Sequence, residues 1–242
     1  HPRKSRPPGC SEAPAVYRRL DGADTMPADR GLFLEQTYRL HPQIAAFTSE
    51  VYYEGRVKSR PGLSKQTILP AAGDGRALHG SGLRYVPVTH AGNQSRSVEE
   101  VAAIRDITET LLGGARWCDK GGVVAQLTEQ DLLIVAPYNA QVSALIEALP
   151  ALKDRIGTVD RFQGQEAPVV IYSMTSSSAQ DAPRGMEFLY DQHRFNVATS
   201  RARALCILVG SPDLFEPECT TPRQMKLANG FCRYLELADR VQ

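Results

Sequence analysis

The 242-residue sequence contains no G-x-x-x-x-G-K-[ST]. It therefore lacks the Gly-rich loop whose backbone amides cradle nucleotide phosphates. It has no H-E-x-x-H and no G-x-S-x-G, and "HGSG" at 79–82 does not make a nucleophile elbow. No strand end carries the paired carboxylates that would hold magnesium. "QMK" at 224–226 lacks the upstream acid of a nuclease metal site. Charge of one sign is also missing: the formal net charge is +1, which neither demands nor forbids a polyanionic partner. Lysine is scarce, with 6 Lys against 22 Arg, and arginine favours bidentate phosphate contacts. The five cysteines include no C-x-x-C pair, which speaks against a disulfide framework or a zinc site. Cys206, inside "LCILVG", reads as a small core residue. No apolar run is long enough to span a membrane and no signal peptide pattern is present. The expected setting is the cytoplasm, with no membrane partner.

What is present is an alternation of strands and helices. "DLLIVAP" (131–137) is a continuous apolar run and reads as a strand buried on both faces. Further strands are expected at about 31–36, 83–90, 156–160, 168–175 and 204–210. Helices are expected over 41–53, 97–112, 138–149, 193–202 and 222–241. Ser97 with Glu100 three residues on has the form of a capping box, and Pro42 suits a first helical turn. His41 reads as a capping or packing residue rather than a catalytic base. Strands alternating with helices of ten to fifteen residues imply βαβ units, hence an α/β fold with a mainly parallel sheet covered on both faces. Residues 1–30, rich in Pro, Arg and Asp, read as a linker or extended N-terminal segment. Residues 31–242 read as one domain, with an exposed insertion at 54–82 that has room for one hairpin.

Parallel sheets bind ligands at the carboxyl ends of their strands. "TVDRFQGQEAPVVI" (158–171) places Asp160, Arg161, Gln163, Gly164, Gln165 and Glu166 there. These residues make either a capped, solvated turn or a cleft lining. Gln and Glu bind ribose hydroxyls well, and Gly164 allows close backbone approach. In "TYRLHP", Tyr38 has the ring to stack on a base and Arg39 the reach for phosphate oxygens; the alternative is core packing and a solvated arginine. In "APYNAQ" (136–141), Pro137, Tyr138, Asn139 and Gln141 open a helix, which suits either phosphate binding or a plain N-cap. Arg201 and Arg203 stand where the last expected helix meets the last strand. Two residues apart on a helix, they face opposite sides.

"TYRLHP", "APYNAQ", "TVDRFQGQEAPVVI" and "FNVATSRAR" resemble, in order and spacing, the second RecA-like domain of superfamily 1 helicases. The nearest branch is the nonsense-mediated-decay and Dna2-like helicases. The runs "SMTSSSAQDAPRGMEFL" and "RFNVATSRA" resemble bacterial proteins that fuse a RecB-like nuclease to such a helicase. The resemblance covers about 32–215. Leu40 and Phe195 are apolar departures from the family's usual residues, and no charged position departs.

The resemblance implies a RecA-like three-layer sandwich working with ATP and Mg2+. Tyr38 would stack on adenine, Arg39 would contact the γ-phosphate, and Glu166 beside Gly164 would bind the ribose. Arg201 would be the arginine finger, and Arg203 would support the sheet edge. Pro137, Tyr138, Gln141, Thr158 and Gln163 would lie near the backbone of single-stranded nucleic acid, DNA rather than RNA. The phosphate loop and the magnesium ligands would come from a first RecA-like domain of the same polypeptide, so this chain alone would be inactive. "HPRKSRPPGC" would follow that domain's last motif. Two other classes stand beside this reading. One is a non-catalytic nucleic-acid or protein-binding module of the same fold, which would be marked by loss of Arg39, Glu166 or Arg201. The other is a self-sufficient nucleotide enzyme, which would hydrolyse ATP alone.

Overall fold

The computed structural model describes residues 34–71, 78–162 and 164–241. The expected linker at 1–30 and the start of the first expected strand lie outside the described residues. In chain order the elements are β1 (Gln36–Thr37), α1 (Pro42–Tyr52), β2 (Lys58–Ser59), β3 (Thr67–Leu69), β4 (Gly82–Pro87), α2 (Val98–Leu112), β5 (Arg116–Cys118), β6 (Val124–Gln126) and β7 (Leu132–Val135). There follow α3 (Asn139–Ala148), β8 (Ile156–Gly157), β9 (Ala167–Ser173), α4 (Met186–Leu189), α5 (Gln192–Thr199), β10 (Ala202–Gly210), α6 (Pro222–Leu237) and β11 (Asp239–Arg240).

Six strands form one sheet in the order β11-β4-β10-β9-β7-β8, and every neighbouring pair is parallel. The apolar runs of β7, β9 and β10 sit in its centre, where both faces are covered. On one face α1, α5 and α6 supply Phe47, Phe195, Phe231 and Tyr234. Phe195 stacks on Phe231 with ring centroids 4.1 Å apart. On the other face α2 and α3 supply Ile104, Ile107, Leu111 and Leu145. Each fully buried side chain of this kind contributes roughly 1.5–3 kcal/mol of transfer free energy. The architecture is the expected α/β, RecA-like sandwich.

Three local expectations need correction. The segment 54–82 is not simply an exposed loop. Leu63, Gln66, Ile68 and Leu78 are buried; β2 pairs in parallel with β1, and β3 starts an antiparallel sheet in the order β3-β5-β6. The helix expected over 193–202 stops at Thr199, so Arg203 lies on β10 and not on a helix. The capping box at α2 forms by half. The Ser97 hydroxyl accepts from the Glu100 amide at 3.1 Å, but the Ser97 amide donates to Gln141 at 2.8 Å. Glu100 turns inward instead.

Candidate functional site

Two polar regions lie at the strand ends. The first gathers around Arg39. Its Nε pairs with Glu166, and its Nη1 donates to the carbonyl of Ser200 at 3.2 Å. The pair is more than a third exposed on each side. Such pairs contribute roughly 0–1 kcal/mol, so a ligand can recruit either partner with little loss. Tyr38 is 60% exposed, with the Arg60 guanidinium over its ring at 4.6 Å. Arg39, Glu166 and Tyr38 line a cleft of about 640 Å³ with Thr37, Tyr53 and Ser200. Gly164, two residues before Glu166, has φ 84° and open space where a Cβ would stand, a conformation that favours glycine.

Arg201 belongs to the same group. Burial lowers its pKa, and the Arg39 charge lowers it further, while Glu166 acts in the opposite sense. Its Nε, like that of Arg203, is buried without a hydrogen-bond partner among the described residues. Leaving a buried donor unpaired is unfavourable by roughly 1–3 kcal/mol. Arg203 faces elsewhere: its guanidinium lies over the Trp117 ring of β5 at 4.7 Å. Arg201 lies in the turn after α5 and Arg203 on β10, so the two are not successive positions of one helix; the β10 register against β9 shifts between Ala202 and Leu205.

A second cleft, of about 240 Å³, opens beyond β7, β8 and β9. Pro137, Tyr138, Asn139, Thr158 and Asp160 line it together with Arg184, Phe188 and Arg194. The Arg184 and Arg194 guanidinium groups lie over the Phe188 ring at 3.9 and 4.1 Å. Among the described residues neither has a carboxylate within ion-pair distance. Tyr138 is buried, with its ring 5.4 Å from Phe188. Thr158 is half-buried. Gln163 lies outside the described residues.

Gln141 does not reach this cleft, which corrects the expectation that it lies near a nucleic-acid backbone. It is fully buried, and its amide donates to Ser97 O at 3.2 Å and Ser173 Oγ at 3.1 Å. It belongs to an interior network centred on Glu100. The Glu100 carboxylate accepts from the Thr175 amide at 2.9 Å and the Ser173 hydroxyl at 2.5 Å. It also meets His90 Nε2 at 3.0 Å, while His90 Nδ1 meets Ser177 Oγ at 2.7 Å. With the His90 proton on Nε2, every contact has a donor and an acceptor. The network holds Thr175 at φ 72°, a strained conformation for a β-branched residue, at the root of the loop that leads to Arg184. His41 sits at the N-cap of α1, where Nδ1 accepts from the Gln43 amide, as a capping residue should.

Sequence reading missed Arg184, Phe188 and Arg194. All three lie in the runs "SMTSSSAQDAPRGMEFL" and "RFNVATSRA" but were given no role; they span eleven residues, and the turn before α4, α4 itself and the start of α5 bring them together.

The motifs that converge on these two clefts are those of a known family. A family profile described as "AAA domain" matches residues 17–213. The chain belongs to this family. It is a superfamily 1 helicase-like RecA-like domain. Over 202 residues the domain is 32% identical to "Putative helicase mov-10-B.1" of Danio rerio, which covers 74% of this chain and 19% of that protein. It is 28% identical to "DNA replication ATP-dependent helicase/nuclease dna2" of Schizosaccharomyces pombe, over 74% of this chain and 14% of that protein. It is 28% identical to "Putative regulator of nonsense transcripts 1" of Takifugu rubripes, over 76% and 17%. The helicase-like domain thus spans less than a fifth of each relative. Among its described residues no helix is long and apolar enough to cross a membrane.

Proposed function

We propose that this domain is the second motor domain of an ATP-dependent helicase. Its Arg39 edge receives ATP, and its Arg184 cleft receives a single strand of DNA or RNA. The observation that carries the reading is a convergence. Arg39, Glu166 and Arg201 come from three distant motifs and meet beside an exposed Tyr38.

The donor set fits a nucleotide. Tyr38 offers a ring for adenine. Glu166 offers carboxylate oxygens to ribose hydroxyls, and Gly164 leaves the backbone accessible. Arg39 and Arg201 offer two cations to a terminal phosphate, and the unpaired Nε of Arg201 is a donor ready for an acceptor. ATP supplies the phosphoryl group that is cleaved. The residues here orient it and neutralise charge that develops on it. Mg2+ and the main phosphate clamp are assigned to a first RecA-like domain of the same polypeptide.

In the second cleft, Arg184 and Arg194 provide charge for phosphodiesters, and Thr158 and Asn139 add polar contacts. No base-edge reader is needed for such binding. The relatives' names point to both DNA replication and transcripts. DNA stays the first choice, and competition between the two strands decides it.

Arg201→Ala in the full polypeptide tests the reading. ATP hydrolysis should fall by about 10³-fold or more, the range seen when arginine fingers are removed. ATP binding should remain. Equal loss of binding and hydrolysis would end the finger role. Unchanged hydrolysis would move the domain to a non-catalytic binding module.

A further inference from the structure

We propose that Gln66 is a positioning residue for both arginines of the nucleotide edge. Gln66 stands just before β3, in the segment 54–82 that carries none of the family motifs, and only 1% of it is exposed. Its Nε2 donates to the carbonyl of Arg39 at 2.7 Å and to the carbonyl of Arg203 at 3.2 Å. Both hydrogens of the amide are therefore spent on the backbone of the two arginine-bearing stretches. Those stretches lie at opposite ends of the domain's sequence.

The clamp is itself held. Ser81 Oγ donates to Gln66 O at 2.7 Å, and Ile68 exchanges backbone hydrogen bonds with Gly80 at 2.7 and 2.8 Å. Two more bonds converge on the same junction. Ser59 Oγ donates to Leu40 O at 2.8 Å, and the His41 amide donates to Arg203 O at 3.0 Å. The peptide of Arg39 and the start of β10 are thereby fixed to each other by the buried Gln66 amide together with the direct His41–Arg203 backbone bond. Arg201 lies two residues before the clamped carbonyl. A displacement of about 1 Å in a group that acts on a transition state can lower a rate by about 10²-fold. Gln66 thus sets the spacing of Arg39 and Arg201 without touching the nucleotide.

This inference rests on the reading of Arg39 and Arg201 as phosphate contacts, and its test separates the two. Gln66→Met keeps the volume of the side chain and removes both donors. In the full polypeptide kcat for ATP hydrolysis should fall by about tenfold, a partial form of that misplacement, with KM for ATP near wild type. Arg39→Lys keeps a charge but loses the fork, and leaves residual activity to measure. In the Arg39→Lys background, Gln66→Met should add clearly less loss than it causes in the wild type, because part of its effect runs through Arg39. Full additivity would overturn the proposal, since a merely structural bond would weaken every background alike. Hydrolysis lost in Arg39→Lys but untouched in Gln66→Met would remove only the role of Gln66. Hydrolysis intact in Arg39→Lys would remove the phosphate reading, and this proposal with it. Should Gln66→Met fail to fold, Gln66→Asn replaces it in the same cycle. Its amide is one methylene too short for both carbonyls, and the same outcomes decide.

Discussion

The Arg39 edge and the Glu100 network are both clusters of charged and polar side chains at strand ends, yet they are opposites. Around Glu100 the groups are buried and matched: carboxylate, imidazole, hydroxyls and backbone amide each have a partner. Around Arg39 the groups are half exposed, and Arg201 keeps a buried donor with no partner among the described residues. A closed network spends its hydrogen bonds on holding the fold, and removal of a member leaves orphans behind. An open one keeps capacity in reserve for a ligand. Polarity in the sequence marks both; only satisfaction tells them apart.

The contrast breaks most visibly in stability. Glu100→Ala strands the His90 imidazole and the Thr175 amide in the interior and should lower the unfolding free energy by about 3–5 kcal/mol in a urea titration. A loss under about 1 kcal/mol would put the two clusters on the same footing. By the same logic, Arg39→Ala should change stability by no more than about 1 kcal/mol, and its effect should appear in hydrolysis.

The open side is sharpened by salt. Removing Arg184 and Arg194 together should reduce the slope of log affinity against log salt for a single strand by about 1.4, from about 0.7 per phosphate contact. An unchanged slope would leave the second cleft without its cations' purpose.

The smallest expected effect concerns His41, a buried capping residue whose amide bonds to Arg203 O beside the Arg39 edge. Burial lowers its pKa from 6.5, so the folded state prefers the neutral ring, whose Nδ1 accepts from Gln43. Its contribution is complete above about pH 6.5 and is lost as pH falls below that value, at no more than about 1.4 kcal/mol per pH unit. His41→Asn should flatten that limb in unfolding free energies measured from pH 7 to 5.

Much of this was legible in advance. β7, β9 and β10 announce themselves because a strand buried on both faces must be apolar throughout. α2 is bounded by Ser97 as its cap. Tyr38, Arg39, Gly164 and Glu166 stood out beside strands, but the expected carboxyl end was wrong for Glu166 and Arg201: they directly precede β9 and β10, at the amino ends of those strands. The small sheet β3-β5-β6 was not legible. Its strands are three residues long, and Thr67–Leu69 pairs with Arg116–Cys118 across almost fifty positions, so no local period reveals them. Gln141 misled because a glutamine near a helix start looks the same whether it faces solvent or the Glu100 network. Arg203 was expected to face away from Arg201 by helical phase, but the helix ends at Thr199 and Arg203 lies on β10, so that reason does not apply.

That orientation has a practical consequence. Trp117 is the only tryptophan in the chain, and Arg203 covers its ring. The indole's ultraviolet emission depends on what lies against it. Any shift of the arginine-bearing strand against the small sheet therefore changes the light the domain gives off. The chain carries its own optical gauge two residues from Arg201, readable in a stopped-flow cuvette with no label attached.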